Sequence, residues 1–148
     1  MVIEYKTKLQ VEFSAPHERN QWVLVGIFIV VVDGIEYEIP IGFWTDFASI
    51  PKFFWNIISP YDLGFGSVPH DFGYFTGIKT KEYWDSVFEA CMIKDQIPSW
   101  KRHAAYNAVS KFGNKRYEMY RRENALRLLA KTLDLNWTRH IPLNQFVA

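Results

Sequence analysis

The feature that most constrains this chain is the apolar run WVLVGIFIVVV, Trp22 to Val32, which meets Asp33-Gly34 and returns as IEYEIPIGF. The run is too short to cross a bilayer as a helix, which takes about 20 residues, and its β-branched content favours extended backbone. An Asp-Gly pair between two apolar runs is a hairpin signal, because a two-residue turn needs positive φ and glycine adopts it at little cost. Upstream, IEYKTKLQVEF places Ile3, Tyr5, Thr7, Leu9, Val11 and Phe13 on one face of a strand. Residues 1–48 are therefore expected to be β-rich, a small antiparallel sheet built around a hairpin, with Trp22 to Val32 as buried strand.

From Pro51 the period changes. IPKFFWNIISP reads as a short helix with proline in its first turn. TKEYWDSVFEACMIKD opens on a capping Thr80 and brings Trp84, Val87, Phe88, Cys91 and Met92 to one helical face. Two further helices are expected in SWKRHAAYNAVSKFG and KRYEMYRRENALRLLAKTL, separated by Gly113-Asn114. The expected fold class is α+β, a single domain over 1–148 with 49–148 helical. Its 148 residues, 49% of them hydrophobic and 18% aromatic, suffice for one core. The one cysteine, Cys91, excludes an internal disulfide and is expected to be a small core residue. The charged N-terminal stretch lacks the continuous apolar segment of a signal peptide, and no transmembrane segment is expected.

Net charge is +1, which argues against a surface built wholly for nucleic acid. The distribution is uneven: residues 1–100 carry about −6 and residues 101–148 about +7. Lys111, Lys115, Arg116, Arg121 and Arg122 could meet an anionic partner, or simply form a solvated helix face, which is the commoner meaning of such runs. The Arg121-Arg122 pair is expected at the surface.

Ionisable and polar residues concentrate in two aromatic-rich stretches. GFWTDFASIP holds Thr45, Asp46 and Ser49; Ser49 is placed to cap the helix at Pro51, whereas Asp46 lies too far upstream for that and is a candidate cation ligand. SVPHDFGYFTG holds His70, Asp71 and Tyr74. On a helix, neighbours point about 100° apart, so His70 can face a partner inside the protein while Asp71 faces an ion, and Tyr74 shares the face of His70. Asp85 lies at the edge of the next apolar stripe, and the short TGIK link can fold the two helices into a hairpin that brings His70 and Asp85 within reach. A carboxylate holding one imidazole nitrogen leaves the other free as a base. A satisfied pair that only fastens two helices is the plainer alternative.

HDFGY resembles the active-site helix of the secreted phospholipase A₂ enzymes, above all their bacterial and fungal branch. The resemblance implies a phospholipase A₂-like helix pair with His70 as catalytic histidine, Asp71 as calcium-binding aspartate, Tyr74 as the buried tyrosine and Asp85 as the aspartate that orients the histidine. It also implies a loop aspartate helping to hold calcium, matched here by Asp46. The order GFWTDFASIP, HDFGY, WDSVFEA, AAYNAVSKFG is, in addition, similar to a family of bacteriophage and prophage proteins with no assigned function. That likeness implies a host-cytoplasmic or virion setting.

Three functions compete on this reading. The first is a calcium-assisted ester hydrolase acting on phospholipid or at an anionic membrane surface. The second is a metal-dependent phosphohydrolase or nuclease, for which His103 is the only other histidine in the following helices. The third is a non-enzymatic virion or assembly protein, contacting phage structural or host proteins or nucleic acid, in which the His-Asp network is structural.

Overall fold

The computed structural model describes residues 1–14, 21–45, 47 and 59–132. Among the described residues six strands precede four helices, an α+β arrangement. The strands are β1 (Ile3–Tyr5), β2 (Val11–Ser14), β3 (Gln21–Leu24), β4 (Phe28–Val32), β5 (Ile35–Ile39) and β6 (Trp44–Thr45). The helices are α1 (Ser67–Thr76), α2 (Lys81–Lys94), α3 (Ser99–Phe112) and α4 (Asn114–Thr132), with a 3-10 segment at Pro60–Gly66 leading into α1. The expected helix at IPKFFWNIISP falls, up to Ile58, outside the described residues.

The hairpin forms where the sequence places it. β4 pairs antiparallel with β5, Val32 opposite Ile35, and the turn holds Asp33 at φ 48° and Gly34 at φ 83°. Positive φ at both central residues is what a hairpin turn matched to strand twist requires, and glycine carries the larger value. Phe28, Val30 and Val32 are fully buried while Ile29 and Val31 are half-buried, so β4 alternates between core and partial cover.

The single sheet expected from the sequence is two. β1-β4-β5 form one antiparallel sheet and β2-β3-β6 the other. The run Trp22–Val32 is accordingly not one strand, and neither is IEYKTKLQVEF. Both break at the same level. Val25 donates to the Gln10 carbonyl at 3.0 Å, and the Thr7 hydroxyl donates to the Ile27 carbonyl at 2.9 Å while accepting from the Ile29 amide at 2.8 Å. These bonds satisfy the backbone across the bend, so both chains change sheets without stranding polar groups.

The helices close on the sheets through three buried clusters. Ile3, Val30, Val32 and Tyr37 pack with Tyr74, Trp84, Val87 and Cys91; Leu24, Phe28, Ile39, Phe43 and Phe47 pack with Val68, Phe72 and Phe75; Leu63, Phe88 and Met92 pack with Ala105, Ala108 and Val109. α1 therefore sits between the sheets and α2. α4 is tied to its C-terminal end: Arg121 Nη2 donates to the carbonyls of Tyr74 at 2.5 Å and Phe75 at 2.7 Å, and the Asn124 amide also donates to Phe75. Arg121 is thus a cap on α1 rather than a surface charge, and burial pushes its pKa below the usual guanidinium value. Lys111, Lys115 and Arg122 are exposed.

Candidate active site

α1 and α2 form the expected helical hairpin. α1 ends at Gly77, whose left-handed conformation lets its amide donate back to the Gly73 carbonyl at 2.8 Å; three residues on, the Thr80 hydroxyl accepts from the Tyr83 amide and starts α2. The helices approach closely because Gly73 faces the indole of Trp84; a Cβ there would stand 1.9 Å from Cδ2. That approach sets the spacing of the polar residues one turn away.

Four side chains meet between the helices. His70 Nε2 lies 3.0 Å from Asp85 Oδ1, which also accepts from the Tyr74 hydroxyl at 2.7 Å. Lys81 Nζ donates to Asp85 Oδ2 at 2.6 Å and to the Ser110 carbonyl at 3.3 Å. His70 is 1% exposed, Asp85 2% and Lys81 6%. The rings of Tyr74 and Phe88 flank the imidazole with centroids at 4.1 and 4.9 Å. His70 Nδ1 is buried and has no hydrogen-bond partner among the described residues.

The electrostatics follow from this inventory. Burial, the largest single influence on the Asp85 carboxyl, works to raise its pKa, but hydrogen bonds from His70, Lys81 and Tyr74 together outweigh it and hold the group below the ordinary carboxylate range. Burial, reinforced by the bond to Asp85, pushes the Tyr74 phenol far above its usual value, so it stays a protonated donor. Asp85 is a fixed anion with both oxygens engaged. The imidazole has one nitrogen committed and one bare.

Asp71 leaves the helix in another direction, as the 100° step requires. It is half-buried, and its Oδ2 accepts from the Thr45 hydroxyl at 2.6 Å. The same hydroxyl accepts from the Phe47 amide at 3.2 Å, so β6 and α1 are joined at this point. Asp46 and Ser49 lie outside the described residues, as do His17 and His140. Calcium takes six to eight oxygen ligands. Among the described residues no three His, Cys, Asp or Glu side chains gather as a metal site, and Asp71 with Thr45 falls short of a calcium shell. His103 is exposed on α3, away from this buried set. Cys91 is a core residue whose thiol is pushed up to about 12 by burial.

Sequence reasoning brought together His70, Tyr74 and Asp85 and missed Lys81. A signal was available. Lysine in the first turn of a helix opposes the macrodipole, and Lys preceding Asp by four residues is the weaker orientation of that pair. A cation placed so has to be compensated elsewhere, and here Asp85 and the C-terminal carbonyl of Ser110 on α3 do it.

Residues 22–109 match the family described as a protein of unknown function (DUF1353), a span running from β3 into α3 that contains every member of the network except Ser110. A protein from Sinorhizobium fredii, called uncharacterized protein y4jT, is 34% identical over 84 residues, which are 55% of this chain and 25% of that protein. The aligned part thus covers a quarter of that relative's length. No solved structure matches the chain.

Proposed function

We infer that this chain, which belongs to the DUF1353 family of proteins of unknown function, is an ester hydrolase that uses His70 as its base. One observation carries the reading: His70 has Nε2 held by a buried carboxylate and Nδ1 left without a partner among the described residues, the arrangement a general base needs. An orphaned buried nitrogen costs stability when nothing uses it. In the proposed step, Nδ1 takes a proton from water as the water oxygen attacks the ester carbonyl. The imidazolium then gives that proton to the leaving alkoxide. Asp85 stabilises the imidazolium without taking its proton, Tyr74 holds Asp85 Oδ1, and Lys81 holds Oδ2.

The likeness of HDFGY to phospholipase A₂ supplies the substrate class, a phospholipid ester at an anionic surface, and the likeness to phage and prophage proteins supplies the setting. Calcium on Asp71 and Asp46 is a separate proposal. The test is fatty-acid release from anionic phospholipid vesicles by the whole chain, with calcium and with chelator, beside Asp71→Asn. Release that Asp71→Asn and chelation abolish supports both proposals; release indifferent to both supports the base and overturns the ion; no release counts against hydrolysis.

A second reading has its own observation. His70 is 1% exposed and Asp85 is saturated by three donors, as in a network that only fastens helices. A structural network predicts large stability losses on mutation and no turnover.

A further inference from the structure

We propose that the protein binds an organic ammonium ion carrying an apolar chain, with the chain among Leu9, Val11, Trp22, Phe47 and Phe65 and the ammonium group at the Asp95 carboxylate. The site is separate from His70, and the inference does not rest on the reading of His70 as a base.

The apolar half is a cleft of about 260 Å³ between the β2-β3-β6 sheet and the 3-10 segment that leads into α1. Among the described residues its walls are Leu9, Val11, Trp22, Phe47, Gly64 and Phe65, none of them charged. An apolar cavity of about 150 Å³ takes a benzene ring, so this cleft has room for a longer alkyl chain. Gly64 and Phe65 also wall a second cavity, of about 290 Å³, whose other described residue is Asp95. The two spaces therefore adjoin across Gly64 and Phe65, one apolar and the other carrying a carboxylate. A few placed polar groups at the end of an apolar cleft are what orient a small ligand.

The carboxylate is brought there by the backbone. Gly64 lies at φ 69° and ψ −159°, a conformation essentially confined to glycine. A Cβ on it would stand 2.3 Å from Asp95 Oδ2, so the missing side chain is what admits the acid. That one oxygen accepts from the Phe65 amide at 2.8 Å and from the Tyr5 hydroxyl at 3.2 Å. Among the described residues no cation pairs with Asp95: Lys101 is bound to Asp62 at 2.8 Å, and Lys94, next to Asp95 on α2, lies over the Tyr5 ring, 5.5 Å from its centroid. Burial pushes the Asp95 carboxyl up against the bonds from Phe65 and Tyr5, so positive charge placed beside it is favoured. The rings of Tyr5, Phe28 and Phe65 pack on one another beside it, with centroids 5.6 to 6.5 Å apart. A carboxylate flanked by aromatic rings suits an alkylated ammonium, which is drawn both to the charge and to the ring faces.

The test uses probes that separate charge from chain, on the whole protein and below the probes' micelle concentrations. Octyltrimethylammonium should bind saturably by calorimetry and shift the NMR signals of the Phe65 amide and the Trp22 indole. Octyl sulfate, with the same chain and the opposite charge, and tetramethylammonium, with no chain, should each bind about 10-fold more weakly or less. Asp95→Asn, which can still accept from the Phe65 amide, should weaken octyltrimethylammonium about 10-fold, and Val11→Trp, which fills the cleft, should weaken it as much without touching the charge. Dihexanoylphosphatidylcholine that competes supports a lipid headgroup as the source of the ammonium; octyltrimethylammonium binding without that competition supports a free alkylamine. Equal binding of the ammonium and the sulfate overturns the proposal, as do an affinity unmoved in folded Asp95→Asn or Val11→Trp, or signals that shift elsewhere. None of these readouts uses turnover, so a failure of ester hydrolysis leaves the site standing, and a failure of the site leaves the reading of His70 untouched.

Discussion

A methyl group added at Gly73 tests how strictly the helix contact sets the His70–Asp85 geometry. The added carbon would lie 1.9 Å from Trp84 Cδ2 and 2.2 Å from both Cε2 and Cγ. Ordinary carbon contacts are about 3.5–4.0 Å, so the indole and the helix must separate by roughly 1.5–2 Å. Trp84 is fully buried and packed on Tyr37 and Tyr83, with ring centroids at 5.0 and 5.3 Å, so it cannot swing clear. Overpacking costs about 1–3 kcal/mol for an inserted methylene, and this clash belongs at the top of that range or above it. Replacing glycine by alanine inside a helix returns about 1 kcal/mol. The net loss should be about 2 kcal/mol or more, a fall in Tm of roughly 4–8 °C for a chain of this size. The geometry makes a second, sharper demand. A 3.0 Å bond from His70 to Asp85 does not survive a shift of that size, so His70→Gln should cost less in the Gly73→Ala background than alone. Thermal melts of the four proteins measure both effects. An unchanged or higher Tm for Gly73→Ala, or additive losses in the double variant, would refute the account of the helix contact.

Two further perturbations probe the surrounding structure. Because Asp85 is held below the ordinary carboxylate range, its contribution to stability is complete above the unfolded carboxylate value near ~4 and is lost as pH falls through the lower folded value. Asp85→Asn, which strands Lys81, should cost about 3–5 kcal/mol at neutral pH, and the gap to wild type should close in acid. Asp95, whose carboxyl burial raises, contributes with the opposite sign but is common to both proteins and drops out of the difference; urea unfolding as a function of pH reads it, and parallel curves would refute the assignment. Arg121→Ala removes the donors to the Tyr74 and Phe75 carbonyls and should cost about 1–3 kcal/mol in urea unfolding. A loss below about 0.5 kcal/mol would return Arg121 to an ordinary surface position.

Much of this architecture was legible because the signals were local. Asp33-Gly34 declared the hairpin, Thr80 declared the start of α2, and the spacing of Trp84, Val87, Phe88, Cys91 and Met92 declared its buried face. The His70, Tyr74 and Asp85 cluster followed from helix spacing and one short link. What stayed hidden depended on contacts distant in sequence. Division into two sheets turns on paired bends at 6–10 and 25–27, joined by hydrogen bonds such as that of Thr7 to Ile27, which no window of sequence contains. Arg121 resembled a surface charge because its partners, the end carbonyls of α1, lie more than forty residues away. Lys81 was hidden differently: an i,i+4 pair with Asp85 reads as a solvated helix face unless one asks why a cation should stand in the first turn.

The central claim, that the buried imidazole is a base and not a fastener, is tested most directly by pairing turnover with stability in His70→Gln. Fatty-acid release from phospholipid vesicles and the melting temperature are measured on the same preparations of wild type and variant. The account predicts a wild type that releases fatty acid, and a His70→Gln protein that melts within a few degrees of it yet has lost about 100-fold or more of its turnover, the usual contribution of a general base. A wild type that releases nothing, with a variant destabilised by about 3–5 kcal/mol, would contradict it and leave His70 and Asp85 as a buried structural pair.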